Sequence, residues 1–331
     1  IIPPPSKEEI KANLKAAEQE CLQYGLTTVT DAGLPFSVIQ AISEMQQRGQ
    51  LAIRISAMAL PTELPFWQAN GKIIENKLRV HSVKIYADGA LGSRGACLLA
   101  PYTDAPHTKG FLLKSPEELE KIVNDFAQLN FQINTHCIGD SANRLMLTIY
   151  GKYLKTTNDK RWRIEHAQVV HPQDFELYRR YSIIPSMQPT HATSDMYWAK
   201  NRLGKERLKS AYALKDLMNQ NGIIALGSDF PVESVNPFLG IYAAVVRKDT
   251  KGFPTEGFQM ENALDRISSL KGMTIWAAYA TFWEKEIGSL EVGKWADFII
   301  TTQDIMEIPA DELKNVTVKE TWIAGKRVFK K

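Results

Sequence analysis

The feature that most constrains this chain is a repeated alternation of helical and strand patterns along its 331 residues. The first unit shows the pattern: Ser6 and Glu9 form a capping box, apolar residues then recur every three or four positions, and Gly25 ends the helix before a β-branched run. Units of the same kind follow one another along most of the chain. Strands that alternate with helices predict a parallel sheet covered by helices.

The sequence predicts seven such strands, over Leu26–Thr30, Ala52–Ala59, Ser82–Tyr86, Phe131–Thr135, Trp162–Glu165, Ser182–Met187 and Ile223–Gly227. One of the helices between them is predicted over Leu64–Asn76, and another begins at Ser115. A closed (β/α)₈ barrel needs eight parallel strands. Because the chain enters on a helix, we expect one barrel strand upstream of Ile1. The predicted fold class is therefore an α/β barrel that lacks its first strand.

The last part of the chain has a different pattern. Turn residues, and not helices, separate three short predicted strands, Phe298–Thr301, Val318–Ile323 and Arg327–Phe329. We therefore expect two units: the barrel over residues 1–285 and a small β appendage over residues 286–331.

Charge, apolar runs and cysteine content indicate which kinds of partner the chain can bind. The 40 basic and 37 acidic side chains leave a formal net charge of +3, and no basic stripe predicts nucleic-acid binding. No run of about 18 apolar residues predicts a membrane span. Cys21, Cys97 and Cys137 are odd in number and far apart, so neither a disulfide framework nor a zinc knuckle is predicted. A small-molecule partner fits best; a homo-oligomer is compatible with the sequence, and the compartment stays open with the cytoplasm slightly favoured.

Side chains able to bind a metal follow the ends of four predicted strands: Lys84, His136, His166 and Asp229. In a barrel these strand ends meet at one rim. Zinc binds neutral imidazoles and carboxylates, and it lowers the pKa of bound water toward about 7. Asp229 would then transfer the proton of that water to a leaving amine. Taken singly, each histidine could be a structural group and Asp229 a turn residue, but their common register favours a site.

Seven ordered motifs resemble the amidohydrolase superfamily, and within it the amidohydrolase 3 group of enzymes similar to N-substituted formamide deformylase. They are GLTTVTD (25–31), KIYADGALGSR (84–94), HCIGD (136–140), RIEHAQ (163–168), SMQPTH (186–191), GSDFPV (227–232) and IGSLEVGKWAD (287–297). Together they cover nearly the whole chain.

The resemblance implies a TIM barrel with a small β-sandwich, and hydrolysis of a non-peptide carbon–nitrogen bond at one or two divalent metals, usually zinc. By this resemblance Lys84 corresponds to a strand-four lysine that is carboxylated in many relatives and bridges two metals. His136 and His166 correspond to the histidines of strands five and six, and Asp229 to the acid of strand eight. Residues 286–331 would then be the C-terminal part of the β-sandwich.

Four more residues fall in family motifs near the pocket and are candidates for substrate contact: Asp88, Arg94, His191 and Asp195. Turn capping or salt bridging is the alternative role for each of them. The Met196–Trp198 stretch suggests an apolar or aromatic amide as substrate, although Trp198 could instead pack in a helix.

The chain departs from the family pattern at one place. Family members carry a His-x-His pair on the first barrel strand, and none of the six histidines stands in such a pair. This agrees with the count of seven strands, so we expect the N-terminal segment to be absent and the chain to be weakly active or inactive. Two alternatives are a non-catalytic barrel that serves as a binding module and a metal-free barrel that binds a sugar or phosphate. No phosphate-cradling glycine loop supports the second.

Overall fold

The computed structural model describes residues 5–331, and its elements follow the predicted alternation. The strands are β1 Thr28–Leu34, β2 Arg54–Ala59, β3 Ile73–Ile74, β4 Leu78–Tyr86, β5 Gln132–Cys137, β6 Arg163–His166, β7 Ile184–Met187, β8 Ala225–Leu226, β9 Phe298–Thr301, β10 Val318–Ile323 and β11 Lys326–Lys330. The helices are α1 Lys7–Gln23, α2 Phe36–Gln47, α3 Leu64–Asn70, α4 Pro116–Gln128, α5 Asp140–Leu154, α6 Phe175–Arg180, α7 Pro189–Asp195, α8 Ala199–Leu208, α9 Leu214–Asn221, α10 Pro237–Val246, α11 Arg266–Met273 and α12 Ile275–Ala280.

Seven strands of the main sheet are parallel and lie in chain order, β1-β2-β4-β5-β6-β7-β8. All seven predicted strands are found, with bounds that shift by a few residues. No backbone pairing joins β8 to β1 within residues 5–331, so the sheet is open between them. The α/β class with a parallel sheet is confirmed, and all seven strands end at one edge of that sheet.

The predicted helix over Leu64–Asn76 is wrong in its second half. It ends at Asn70 because Gly71 takes a φ of 70°, which reverses the chain. The next residues form β3, which pairs antiparallel with β4. Two isoleucines fit an apolar helical stripe as well as a short strand, so periodicity alone did not reveal the reversal.

Two segments that follow strand ends pack on each other and form a layer with its own core. We call residues 88–113, after β4, and residues 189–212, after β7, the cap layer. Its buried apolar residues include Leu91, Tyr102 and Leu203. Arg207 joins the two segments because its guanidinium donates to the carbonyls of Ala100 and Pro101, at 2.8 and 2.7 Å. The cap layer therefore lies at the edge where the strands end.

The three C-terminal strands form a separate antiparallel sheet in the order β11-β10-β9, within a residue of the predicted bounds. A buried ion pair between Arg54 of β2 and Asp297, which immediately precedes β9, connects it to the main sheet. The Thr321 hydroxyl also donates to the carbonyl of Leu22, at 2.7 Å. Among the described residues, no helix is both long and apolar enough to cross a membrane.

Candidate functional site

Three of the four predicted ligands lie together at the ends of neighbouring strands. Lys84 lies two residues before the end of β4. His136 of β5 pairs with Tyr86 of β4, and His166, the last residue of β6, pairs with Cys137 of β5. The ring centroids of His136 and His166 are 4.5 Å apart, with the planes at 72°. Adjacent parallel strands in this register bring the side chains to one place although they are far apart in sequence.

Both imidazoles are neutral at pH 7. Burial, and to a smaller extent the Lys84 ammonium, lowers the pKa of His136 to about 4. Burial also lowers the pKa of His166 well below its ordinary value, with His136 and Lys84 adding to the effect. A neutral imidazole is the form that binds a metal, so the two rings need lose no proton to do so.

The Lys84 side chain is buried between charged groups. Burial lowers the pKa of its ammonium, while the carboxylates of Glu165 and Asp229 act in the opposite direction. Burial alone would raise the pKa of Glu165, but Arg163 and Lys84 outweigh it and the pKa is lowered. Arg163 Nε donates to Glu165 at 2.8 Å, and both side chains are buried. Glu165 lies in the RIEH segment of the sequence but was not predicted as a site residue.

The fourth predicted ligand, Asp229, follows β8 and is exposed. Neighbouring protein atoms that partly bury its carboxyl raise the pKa, and Lys84 lowers it. Asp229 takes a φ of 57° and His166 one of 72°, both in the left-handed region that non-glycine residues rarely occupy. Such backbone conformations persist only where the surroundings fix them, and they are concentrated at functional sites.

The side chains present include donors of the kind that bind a divalent metal. Two neutral imidazoles and a lysine lie together, and the buried Nε2 of His136 has no hydrogen-bond partner in the described chain. An imidazole nitrogen of this kind is satisfied by a metal. However, residues 5–331 contain no group of three or more His, Cys, Asp or Glu side chains placed to hold a metal ion. A further donor is therefore needed beyond the two histidines, and the buried Lys84, whose charge acts on both of them, is a candidate to provide one.

Asp88 uses its carboxylate within the fold. It accepts from the backbone N–H groups of Cys97, Ile138 and Gly139, at 2.8, 3.0 and 2.8 Å. Its Oδ1 also lies 3.7 Å from Nε2 of His136. Burial raises the pKa of Asp88 to about 7, although the three N–H groups act against this. Asp88 thus holds the cap layer against the end of β5, which is the structural alternative considered for it.

Arg94 and Asp195 are also engaged in the cap layer. Arg94 forms a two-pronged ion pair with Asp104, at 3.1 and 3.0 Å. Asp195 accepts from the Tyr212 hydroxyl at 2.9 Å and from Nε2 of Gln168 at 3.1 Å. The Arg94 contact is the salt bridge that was the alternative to substrate contact, whereas Asp195 accepts hydrogen bonds from two uncharged side chains.

His191 faces the predicted ligands. Its ring stacks on that of His166 with centroids 5.9 Å apart and planes at 17°. Burial lowers its pKa to about 4, and its Nε2 is buried with no partner among residues 5–331. His191 therefore has a polar atom available to a ligand beside the two histidines.

A cavity lies next to His166, and of its lining residues only His166 and His191 were predicted as site residues. His166, Gln168, Met187, Gln188, Pro189, His191, Ala192, Tyr212 and Leu214 line it. Gln188 Oε1 lies 2.8 Å from Nδ1 of His166. Its sequence signal is its place in the SMQPTH motif, between β7 and α7. Trp198 lies elsewhere, against Gly92 and the Arg202 guanidinium, so its packing matches the structural alternative.

Comparison with known proteins identifies the family of the chain. A family model described as the amidohydrolase family matches residues 1–329. The chain is 31% identical to the YtcJ protein of Bacillus subtilis (strain 168), covering 100% of this chain and 63% of the relative. It is 24% identical to the N-substituted formamide deformylase of Arthrobacter pascens, over 75% of this chain and 45% of that enzyme.

Among solved structures, the chain is similar to a metal-dependent hydrolase from Pyrococcus horikoshii OT3, with a TM-score of 0.83 and 29% identity. The match covers 92% of this chain and 62% of that one. The chain thus spans less than two thirds of the length of either the Bacillus or the Pyrococcus relative.

Proposed function

Because this chain belongs to the amidohydrolase family, we propose that the protein is a metal-dependent hydrolase that cleaves the carbon–nitrogen bond of a small non-peptide amide. The observation that carries the proposal is the cluster of two neutral imidazoles and one buried lysine at the ends of three neighbouring parallel strands. We place the sheet in a TIM barrel, since its strand order and the position of the site are those of that fold. The small C-terminal sheet would belong to a β-sandwich.

In this proposal His136, His166 and Lys84 hold a divalent metal, with zinc favoured by the nitrogen donors. When bound, the metal polarises the amide carbonyl and makes a water acidic enough to attack near pH 7. Burial favours the neutral form of the Lys84 amine, and a neutral amine can react with carbon dioxide. The carbamate formed would add oxygen donors to the two imidazoles.

Asp229 is the proton carrier in this proposal. Its carboxylate takes a proton as the amide carbon is attacked and delivers it to the amide nitrogen, so that the amine leaves uncharged. The raised pKa of Asp229 suits both steps, because it makes the carboxylate a stronger base than an ordinary aspartate. The cap layer, which Asp88 holds against β5, would restrict the access of water.

The lining of the cavity suggests the substrate class. Met187, Pro189 and Leu214 present apolar surface beside the polar atoms of His166 and His191. The cavity, about 10 Å³, has room for about one water, so an apolar substituent of the amide would contact this surface at the mouth of the cavity while the carbonyl stays near the histidines. The similarity to an enzyme named for N-substituted formamides is consistent with this class.

Metal content tests the proposal directly. The purified chain is dialysed against zinc and bicarbonate, and bound metal is measured by inductively coupled plasma mass spectrometry. We expect about one metal per chain, and loss of the metal in His136→Ala because a ligand is removed. His107→Ala is the matched control, since His107 is exposed on the cap layer and should not change the metal content. Equal zinc in all three proteins, or none in the unaltered chain, would contradict the proposed site.

Turnover tests the role of Asp229. Asp229→Asn keeps the size of the side chain but cannot carry the proton, so we expect the turnover of an N-substituted formamide such as N-phenylformamide by the full-length protein to fall at least about a hundredfold. Glu233→Gln is the control, because Glu233 lies in the same loop and bonds to Ser194. Near-normal turnover in Asp229→Asn would exclude Asp229 as the proton carrier.

A further inference from the structure

We propose that Gln188 is a positioning residue that fixes the ring and the tautomer of His166, leaving its Nε2 bare for a ligand. Gln188 Oε1 lies 2.8 Å from Nδ1 of His166. An amide oxygen can only accept a hydrogen bond, so Nδ1 carries the proton. A neutral imidazole has one N–H, and Nε2 therefore keeps its lone pair. The expected effect on metal binding rests on the proposed function, whereas the tautomer does not.

The backbone around Gln188 shows that the side chain is directed to this bond. Gln188 occupies the N-cap position of α7, where a polar side chain commonly bonds to the first helical N–H groups. Here the side chain makes no such bond and reaches His166 on the neighbouring strand instead. The N–H of His191, which such a side chain could cap, bonds instead to the backbone carbonyl of Gln188 at 3.1 Å, and this leaves the side-chain amide available for His166.

A second contact from α7 fixes the same ring. His191 lies one helical turn after Gln188 and stacks on His166 with planes 17° apart. The hydrogen bond restricts rotation of the His166 ring, and the stack restricts its tilt. Since Gln188 and His191 belong to one short segment, the position of α7 determines the orientation of His166. Metal-binding histidines are commonly oriented in this way through their second ring nitrogen.

Gln168 provides a matched comparison within the same cavity. Its Nε2 donates to Asp195 and to the Tyr212 hydroxyl, both at 3.1 Å, and it makes no hydrogen bond to His166 in the described structure. Replacing Gln168 by Met should disturb the cavity about as much as Gln188→Met does. Only Gln188→Met removes the acceptor of the His166 N–H.

The first test measures the tautomer of His166 in the metal-free chain by two-bond ¹H–¹⁵N correlation spectra, with His166→Gln used to assign the ring signals. We expect the Nδ1–H form in the unaltered chain. In Gln188→Met the Nε2–H form should become the major one, because Nδ1–H has lost its acceptor. Gln168→Met should keep the Nδ1–H form, and Gln188→Glu should keep it as well because a carboxylate still accepts.

The second test measures the zinc dissociation constant of the same proteins. Gln188→Met should raise it by about 10- to 100-fold, the usual effect of removing a group that orients a metal-binding histidine, and Gln168→Met should leave it within about threefold. An Nε2–H form in the unaltered chain would overturn the proposal. So would an unchanged tautomer in Gln188→Met, or in Gln188→Ala should the Met variant not fold.

The two tests separate this proposal from the proposed function. A chain that binds no zinc and cleaves no amide, but has His166 in the Nδ1–H form only while Gln188 is present, would contradict the hydrolase and keep the role of Gln188. Zinc binding with no dependence of the tautomer on Gln188 would keep the proposed metal site and contradict the role of Gln188.

Discussion

At the scale of single residues, burial of the Asp195 carboxylate should make the free energy of unfolding depend on pH. Burial raises its pKa to about 6, although Tyr212 and Gln168 bond to it. The unfolded value is about 3.9, so between these two values the folded chain binds the proton more tightly. The free energy of unfolding should therefore fall as pH rises from about 4 to about 6, by up to about 3 kcal/mol from this group. Asp195→Asn should lack this decrease when unfolding in urea is measured between pH 4 and pH 7.

The pKa of Asp104 is shifted in the opposite direction to that of Asp195. Its hydrogen bond to Arg94 lowers its pKa, so its contribution is present at neutral pH and lost as the solution becomes acidic. The free energy of unfolding of Asp104→Asn should therefore differ from that of the unaltered chain at pH 7, and the two values should converge in acid. If the curves for the unaltered chain and Asp195→Asn run parallel, the assigned pKa of Asp195 is wrong.

Residue roles were predicted from the sequence only as far as motifs and strand ends allow. The proximity of Lys84, His136 and His166 follows from strand ends that meet at one edge, which periodicity can show. The partners of Asp88 could not be predicted in the same way. Two of them, Ile138 and Gly139, lie 50 and 51 residues along the chain, and no local pattern indicates that their N–H groups point at this carboxylate.

At the scale of elements, the turn between β5 and α5 depends on Gly139 for a steric reason. A Cβ at this position would lie 2.0 Å from the carbonyl oxygen of Cys97 in the cap layer. The φ of Gly139 is −76°, an ordinary value, so the requirement is one of space and not of backbone conformation. Because the clash is with backbone, no change of rotamer can relieve it.

Gly139→Ala should therefore lower the free energy of unfolding by about 3 kcal/mol or more, at the upper end for overpacked sites. Gly227→Ala is the control, since no atom of the described chain lies within 4 Å of its Cβ and its φ is not positive. We expect Gly227→Ala to change stability by less than about 1 kcal/mol. Urea unfolding of the two variants compares them, and similar losses in both would exclude the steric explanation.

The elements themselves were largely predictable, and the exceptions share one cause. Capping boxes at Ser6 and Ser115 begin α1 and α4 where the sequence predicts them. The strand β3 was not predicted, and β8 has two residues where five were predicted, because so short a strand carries no period of its own. The cap layer was not predicted as a unit, since its core joins segments about a hundred residues apart.

At the scale of the whole molecule, the IGSLEVGKWAD motif has a structural role at its last residue. Asp297 pairs with Arg54 of β2 through one carboxylate oxygen, and the other accepts from the N–H of Ala324, at 2.8 Å, in the turn between β10 and β11. The motif was recognised from the sequence, but its partner is 243 residues away. One carboxylate thus joins the small sheet to the main sheet.

This pair predicts how the two sheets unfold together. The side chains of Arg54 and Asp297 are only 3% and 4% exposed, so Asp297→Ala leaves a buried guanidinium without its partner. Breaking such a pair costs about 3–5 kcal/mol, whereas replacing both partners by apolar residues of similar size is often nearly neutral. Arg54→Met combined with Asp297→Leu should therefore recover most of the loss.

Amide hydrogen exchange would locate that loss. We expect the amides of β10 to lose protection in Asp297→Ala while those of β5 keep most of theirs, because the small sheet would open without the main sheet. In the apolar double variant the protection of β10 should return. Equal loss in β5 and β10 would mean that the two sheets form one cooperative unit even without the pair. Unchanged protection in β10 would mean that contacts such as the bond from Thr321 to Leu22 suffice to hold the small sheet in place.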